Sequence, residues 1–217
     1  MRIVLEKELN SIQKMLFEIF TLAKESLWYA INYILYGNEE DLRKVKALEE
    51  QSDLINLEIF EKCISVIATQ QPVAKDLRFI FTASNISSFY ERICDLSLEI
   101  CDLKLSKLDE KLDAVRRNIL WMVKKVLMMI ELNENSLRKE RTGELKRELE
   151  GIDSEIDKLF DETRDMIIDY LKECGEDIED AVNMLYIIRY IERIGDIVAK
   201  TGSRIIYIEK GKHVWIK

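Results

Sequence analysis

Apolar residues recur at intervals of three and four along almost the whole chain, the period of an α-helix buried on one side. Ile12, Leu16, Ile19, Phe20, Ala23, Leu27, Ala30, Ile31 and Ile34 make one such stripe. It predicts a first helix over about residues 4–36, ended by Gly37-Asn38. Acidic Glu39-Glu40-Asp41 suits a helix start, where the macrodipole is positive, and a second helix runs from about 39 to 70. Gln71-Pro72 interrupts. Proline's fixed φ and missing N–H suit a first helical turn, so Pro72 is expected to open helix three, which runs to about 106. Asp109 is a candidate cap for helix four, which runs to about 140. Thr142-Gly143 breaks again, helix five reaches Cys174, and beyond Gly175 a sixth helix covers about 177–209. Gly211–Lys217 reads as an irregular tail.

Composition narrows this further. Seven glycines and one proline among 217 residues are roughly 4%, against a usual ~12% for the pair. So few turn-formers leave few turns, which favours long helices and excludes a many-stranded sandwich or barrel. Hydrophobic residues are 47% of the chain, enough for a core. The net charge of −8 argues against a nucleic-acid partner. The longest uncharged stretch, Ser26–Asn38, has 13 residues, too short to span a bilayer. Arg2, Glu6, Lys7 and Glu8 interrupt any signal-peptide core, so a cytoplasmic location without membrane insertion is expected. The four cysteines, Cys63, Cys94, Cys101 and Cys174, form no CxxC pair. Cys94 and Cys101 would stand about 10.5 Å apart along one helix, too far for a disulfide. All four read as reduced, buried thiols. Tyr, Trp and Phe fall mostly on apolar stripes and read as core, while Trp215 either covers a hydrophobic patch or lies exposed.

The chain also repeats itself. Tyr90-Glu91-Arg92-Ile93-Cys94-Asp95 parallels Ile191-Glu192-Arg193-Ile194-Gly195-Asp196 at an offset of 101, and Glu49…Asp53 parallels Asp153…Asp157 at an offset of 104. Helices one to three and four to six are therefore two copies of one unit. The expected fold is all-α, two tandem three-helix bundles with approximate internal two-fold symmetry. The first covers 1–106 and the second 107–217, packed as one body.

Each copy carries two acid pairs at i,i+4: Glu49/Asp53 with Glu91/Asp95, and Asp153/Asp157 with Glu192/Asp196. Such residues share a helix face. In an antiparallel hairpin, residues at equal height average to the residue number of the turn. Asp53 with Glu91, and Glu49 with Asp95, both average 72, which is Pro72. Asp157 with Glu192, and Asp153 with Asp196, both average 174.5, which is Cys174-Gly175. Each half thus brings four carboxylates level across two helices.

Two readings of these quartets stand. The acids either point into water or pair with Arg78, Arg92, Arg189 or Arg193, or they hold cations. Arg92 and Arg193 lie about 100° around the helix from their Glu neighbours and are not expected to neutralise all four. Carboxylate oxygens suit iron, manganese, magnesium or zinc and can bridge several ions. A ferritin-like di-iron enzyme needs Glu-x-x-His on two helices, and the single histidine, His213, lies in the tail. No Walker A, GxSxG or HExxH motif occurs. The acids alone leave open a metal-binding protein, a metal-dependent enzyme of phosphatase or oxidase type, and a metal-free scaffold.

At these residues the chain resembles the PhoU family of phosphate-uptake regulators. The resemblance runs through Gln71-Pro72-Val73-Ala74-Lys75-Asp76-Leu77-Arg78, the two Glu-Arg-Ile-x-Asp segments, and Ile205-Ile206-Tyr207-Ile208-Glu209-Lys210-Gly211. It implies two three-helix repeats and surface clusters of iron or zinc. The implied ligands are Glu49, Asp53, Glu91, Asp95, Asp153, Asp157, Glu192 and Asp196. It also implies a regulator rather than an enzyme, restraining phosphate uptake and the phosphate-starvation response. The implied contacts are the ATPase of the phosphate ABC transporter and a sensor histidine kinase, with a homodimer as the implied assembly. Cys94 departs from the family's usual Gly, which is kept at Gly195. A thiol there either adds a donor or packs.

Overall fold

The computed structural model describes residues 2–103, 105, 112–139, 142–174 and 178–216. Among these it contains six helices and no strand: α1 (Arg2–Tyr36), α2 (Glu39–Gln70), α3 (Ala74–Asp102), α4 (Asp113–Lys139), α5 (Leu145–Cys174) and α6 (Ile178–Lys210). The expected cap Asp109, the 106/107 boundary and Gly175 lie outside the described residues.

The breaks have local causes. Gly37 turns left-handed at φ 71° and its N–H bonds the Tyr33 carbonyl at 2.7 Å, which ends α1 as glycine can without a Cβ penalty. Asn38 then caps α2, its side-chain oxygen accepting from the Glu40 N–H at 3.1 Å. Pro72 does not open α3. That helix starts at Ala74, with Val73 in the cap position. A proline disfavours the α conformation of the residue before it, so Gln71 leaves the helix at φ 48°, where its N–H reaches the Ile67 carbonyl at 3.2 Å. The proline's effect falls on the end of α2 rather than on the start of α3.

Each set of three helices packs mutually, α1–α3 in one half and α4–α6 in the other, and the halves meet where α3 lies on α6 and α1 on α4. Equivalent helices thus face one another across the junction, as a two-fold relation requires. All nine residues of the α1 stripe are buried, from Ile12 to Ile34. Phe20 of α1 stacks on the buried Tyr90 of α3, ring centroids 4.1 Å apart. Lys24 of α1 pairs with Glu134 of α4 at 2.9 Å. Within the second half, buried Asn133 donates to the Val198 carbonyl of α6 at 2.8 Å, and one core runs through both halves.

The aromatic residues do not all follow the core expectation. Phe60, Phe81, Trp121, Tyr186 and Trp215 are exposed. His213 stacks on Tyr207 in the tail, 4.4 Å between centroids. Cys63, Cys94 and Cys101 are buried free thiols. No described helix is long and apolar enough to cross a membrane.

Candidate metal centre

The α2–α3 hairpin turns at residues 71–73, and it brings the first quartet together. Oxygens of Glu49, Asp53 and Asp95 all lie within 4.8 Å of one another. A metal–oxygen shell of about 2.0–2.6 Å radius is about 4–5 Å across, so these three carboxylates are spaced to share one. Glu91 faces the same group. Burial pushes its carboxyl up to about 7, with the charges of Asp95, Asp53 and Glu49 adding to the rise and Arg92 opposing it. Glu49 is raised by burial, then by Asp53, Asp95 and Glu50. Asp53 is raised by burial and by Asp95. The contact between Asp53 and Asp95 is a diagonal one, beside the two level pairs that the spacing predicts.

The second quartet lies between α5 and α6. Asp153 is buried, which pushes its carboxyl up to about 6, with Asp157, Asp196 and Glu192 adding and Lys200 opposing. Asp157 is raised by burial, then by Asp196 and Asp161. Glu192 is raised by burial against the pull of Arg189. All eight predicted residues therefore fall into two groups of mutually repelling carboxylates. The first is the tighter by oxygen spacing.

Arginine enters only in part, as the spacing predicts. Arg92 does reach an acid of its own quartet, bonding Asp95 at 3.0 Å and Glu99 at 3.0 Å. Arg189 holds Glu192 at 2.7 Å. Both contacts to quartet members span i,i+3, a spacing that places side chains on neighbouring faces. Each arginine balances one acid and leaves the rest crowded. Arg78 is engaged elsewhere, donating from Nε and NH2 to the Ile208 carbonyl at 3.2 and 3.1 Å. A guanidinium at a helix C-terminus satisfies an orphan carbonyl there. The turn segment around Arg78 and the end segment around Ile208 thus meet in space.

Cys94 is not among the grouped ligand atoms, which come from Glu49, Asp53 and Asp95. It is fully buried, and burial pushes its thiol up to about 12. A metal-ligating cysteine is a thiolate. In the second half Gly195 stands at this place, and a Cβ on it would lie 3.3 Å from Ile156 Cδ1. Ile156 and Ser52 are equivalent at the 104-residue offset. So the small residue lies on α6 in one half and on α2 in the other, and Cys94 fills the space that Ser52 leaves.

The PhoU domain model matches twice, over residues 16–103 and 119–205. The chain belongs to the PhoU family. A PhoU homologue from Archaeoglobus fulgidus, named a phosphate-specific transport system accessory protein, is 33% identical over 216 residues, covering 100% of both chains. One from Thermotoga maritima is 30% identical over 212 residues, covering 96% of this chain and 90% of its own. Two PhoU crystal structures share the fold. That of the phosphate transport system regulatory protein from Streptococcus pneumoniae has a TM-score of 0.83 at 21% identity, covering 97% of this chain and 99% of its own. That from Pseudomonas aeruginosa has a TM-score of 0.80 at 19% identity, covering 95% and 99%. PhoU proteins are regulatory accessory proteins, not enzymes.

Proposed function

We propose that this PhoU protein restrains phosphate uptake and phosphate-starvation signalling as a metal-loaded adaptor. Its partners are the ATPase of the phosphate ABC transporter and a sensor histidine kinase, and it acts in the cytoplasm as a homodimer. The observation that carries the regulatory role is the full-length relationship to proteins named as accessory to phosphate-specific transport. The metal reading is supported by two carboxylate quartets at equivalent places in two repeats, where burial first and neighbouring acids second raise Glu91 and Asp153 well above the ordinary carboxylate range. A cation removes that repulsion. The grouped ligand atoms are carboxylate oxygens, which suit hard ions and bridged clusters. Iron or zinc is the proposed occupant, with magnesium or manganese as the alternatives. Elemental analysis of the purified protein, combined with co-purification against the transporter ATPase and the kinase, tests both parts. Metal-free protein with unaltered partner capture overturns the metal part. Metal-loaded protein that captures neither partner overturns the adaptor part.

A further inference from the structure

We propose that the two quartets are unequal cation sites, the first binding a divalent ion at least about tenfold more tightly than the second. Two charge exchanges between the repeats set the difference: Ser88 of α3 against Arg189 of α6, and Glu99 against Lys200. The inference rests on the metal reading and deepens it, since it gives the two halves different loading. The eight acids themselves hardly distinguish the halves. Four carboxylates stand at equivalent helix positions in each, and only Glu49 and Asp153 differ in residue type. The charges around them do differ.

Arg189 stands one turn before Glu192 and holds its carboxylate at 2.7 Å. At the 101-residue offset its place beside Glu91 is taken by Ser88, a neutral hydroxyl that donates to Asn56 at 3.3 Å. Lys200 stands one turn beyond Asp196, and its charge reaches Asp153, whose rise it opposes. The equivalent Glu99 stands one turn beyond Asp95 and draws on Arg92. That guanidinium bonds Asp95 through NH1 and Glu99 through NH2, both at 3.0 Å, so Arg92 is shared with an acid outside the first quartet. The partner helices add one acid each. On α2 the charge of Glu50 raises Glu49, where α5 has Ser154. On α5 Asp161 raises Asp157, where α2 has Leu57, but Arg164 holds Asp161 at 2.7 Å.

Affinity for a hard cation rises with the uncompensated charge of its ligands and falls with each fixed cation nearby. At the second quartet an incoming ion competes with Arg189 for Glu192 and meets the charge of Lys200 near Asp153. At the first, oxygens of Glu49, Asp53 and Asp95 already lie within 4.8 Å of one another. Arg92 bonds Oδ2 of Asp95, which leaves the other oxygen to the ion. Between the two affinities the protein carries an ion in its first half alone, so loading of the second half follows the supply of the ion.

The test dialyses the full chain at pH 8 against a series of buffered free zinc concentrations and reads bound zinc by elemental analysis. Glu192→Asn with Asp196→Asn isolates the first site, Glu91→Asn with Asp95→Asn isolates the second, and all four changes together give the background. The first site is expected to half-load at a free zinc concentration at least about tenfold lower than the second. With the second site alone, Arg189→Ser plus Lys200→Glu is expected to lower its half-loading concentration at least about tenfold. With the first alone, Ser88→Arg plus Glu99→Lys is expected to raise it by a similar factor. Ser88, Arg189 and Lys200 are exposed, and melting in chelator checks that each variant is folded. The gap between the sites is expected to narrow in high salt, which screens exposed charges and which a purely structural role for these residues does not predict. Isolated sites that half-load together, or a second site tighter than the first, overturn the inference. So do half-loading points that neither pair of exchanges moves. Zinc absent from the wild type refutes the metal reading and this inference with it, whereas zinc that loads both sites alike refutes this inference alone.

Discussion

Single carboxylates carry the sharpest consequences. In the metal-free protein Glu91 rises from 4.5 to about 7 and Asp153 from 3.8 to about 6. An acid whose pKa is higher folded than unfolded stabilises the fold when protonated and loses that contribution as pH rises through the folded value. The stability is therefore fully present below about 4 and falls between there and pH 7. In chelator, the melting temperature is expected to rise as pH drops from 8 to 5.5. Glu91→Gln is expected to raise it at pH 8 and flatten the profile. A profile unchanged by Glu91→Gln means that the crowding has no energetic weight. With metal bound the sign reverses, because protons displace the ion from its carboxylates. At the same scale Cys94→Ala is expected to leave metal content unchanged, since the buried thiol is not among the donors; loss of metal in this variant makes sulfur a ligand. The i,i+4 spacing of the acids was legible in the sequence. The capture of Asp95 by Arg92 was not, because angle alone does not say which of several acids a long guanidinium reaches.

At the scale of helices, the turn positions were legible because they are chemical. Gly37, Pro72 and Gly143 each oppose helix continuation, and averaging residue numbers about Pro72 places two acid pairs level. The outer stripe of α2 was not legible, since Leu57, Phe60 and Ile64 have the same spacing as a core face, yet are exposed among the described residues. The exchange of small residues between hairpins predicts an energetic coupling. Gly195→Cys pushes a side chain into Ile156 and is expected to cost about 1–3 kcal/mol, the usual penalty of overpacking. Combining it with Ile156→Ser rebuilds the Cys94–Ser52 pair of the first hairpin. In a double-mutant cycle by urea unfolding, the double variant is expected to lose less than the sum of the single changes. Strict additivity means that the two residues do not share the space.

For the whole molecule, the question is whether two repeats behave as two proteins or one. The repeat offsets of 101 and 104 seen in the sequence bracket the spacing of the two matched PhoU domains, but offsets do not tell how the copies touch. The contacts do: α3 lies on α6 and α1 on α4, Lys24 of α1 pairs with Glu134 of α4, and Arg78 ties the first hairpin to the end of α6. A continuous core couples the halves, so unfolding is expected as one transition, and a cation held by either quartet stabilises both halves. Binding at a hundredfold excess over Kd adds about 2.7 kcal/mol per site, or ~5–10 °C in a chain of this size. The double change Glu91→Asn with Asp95→Asn is expected to remove the metal of the first half and spare the second. Titrated with metal, this variant should melt in a single step with roughly half the wild-type shift. Without metal it should be at least as stable as the wild type, because two repelling charges are gone. Two separate transitions, with only the later one moved by metal, mean that the halves are independent. Equal metal content and equal shifts in variant and wild type make the first quartet surface charge.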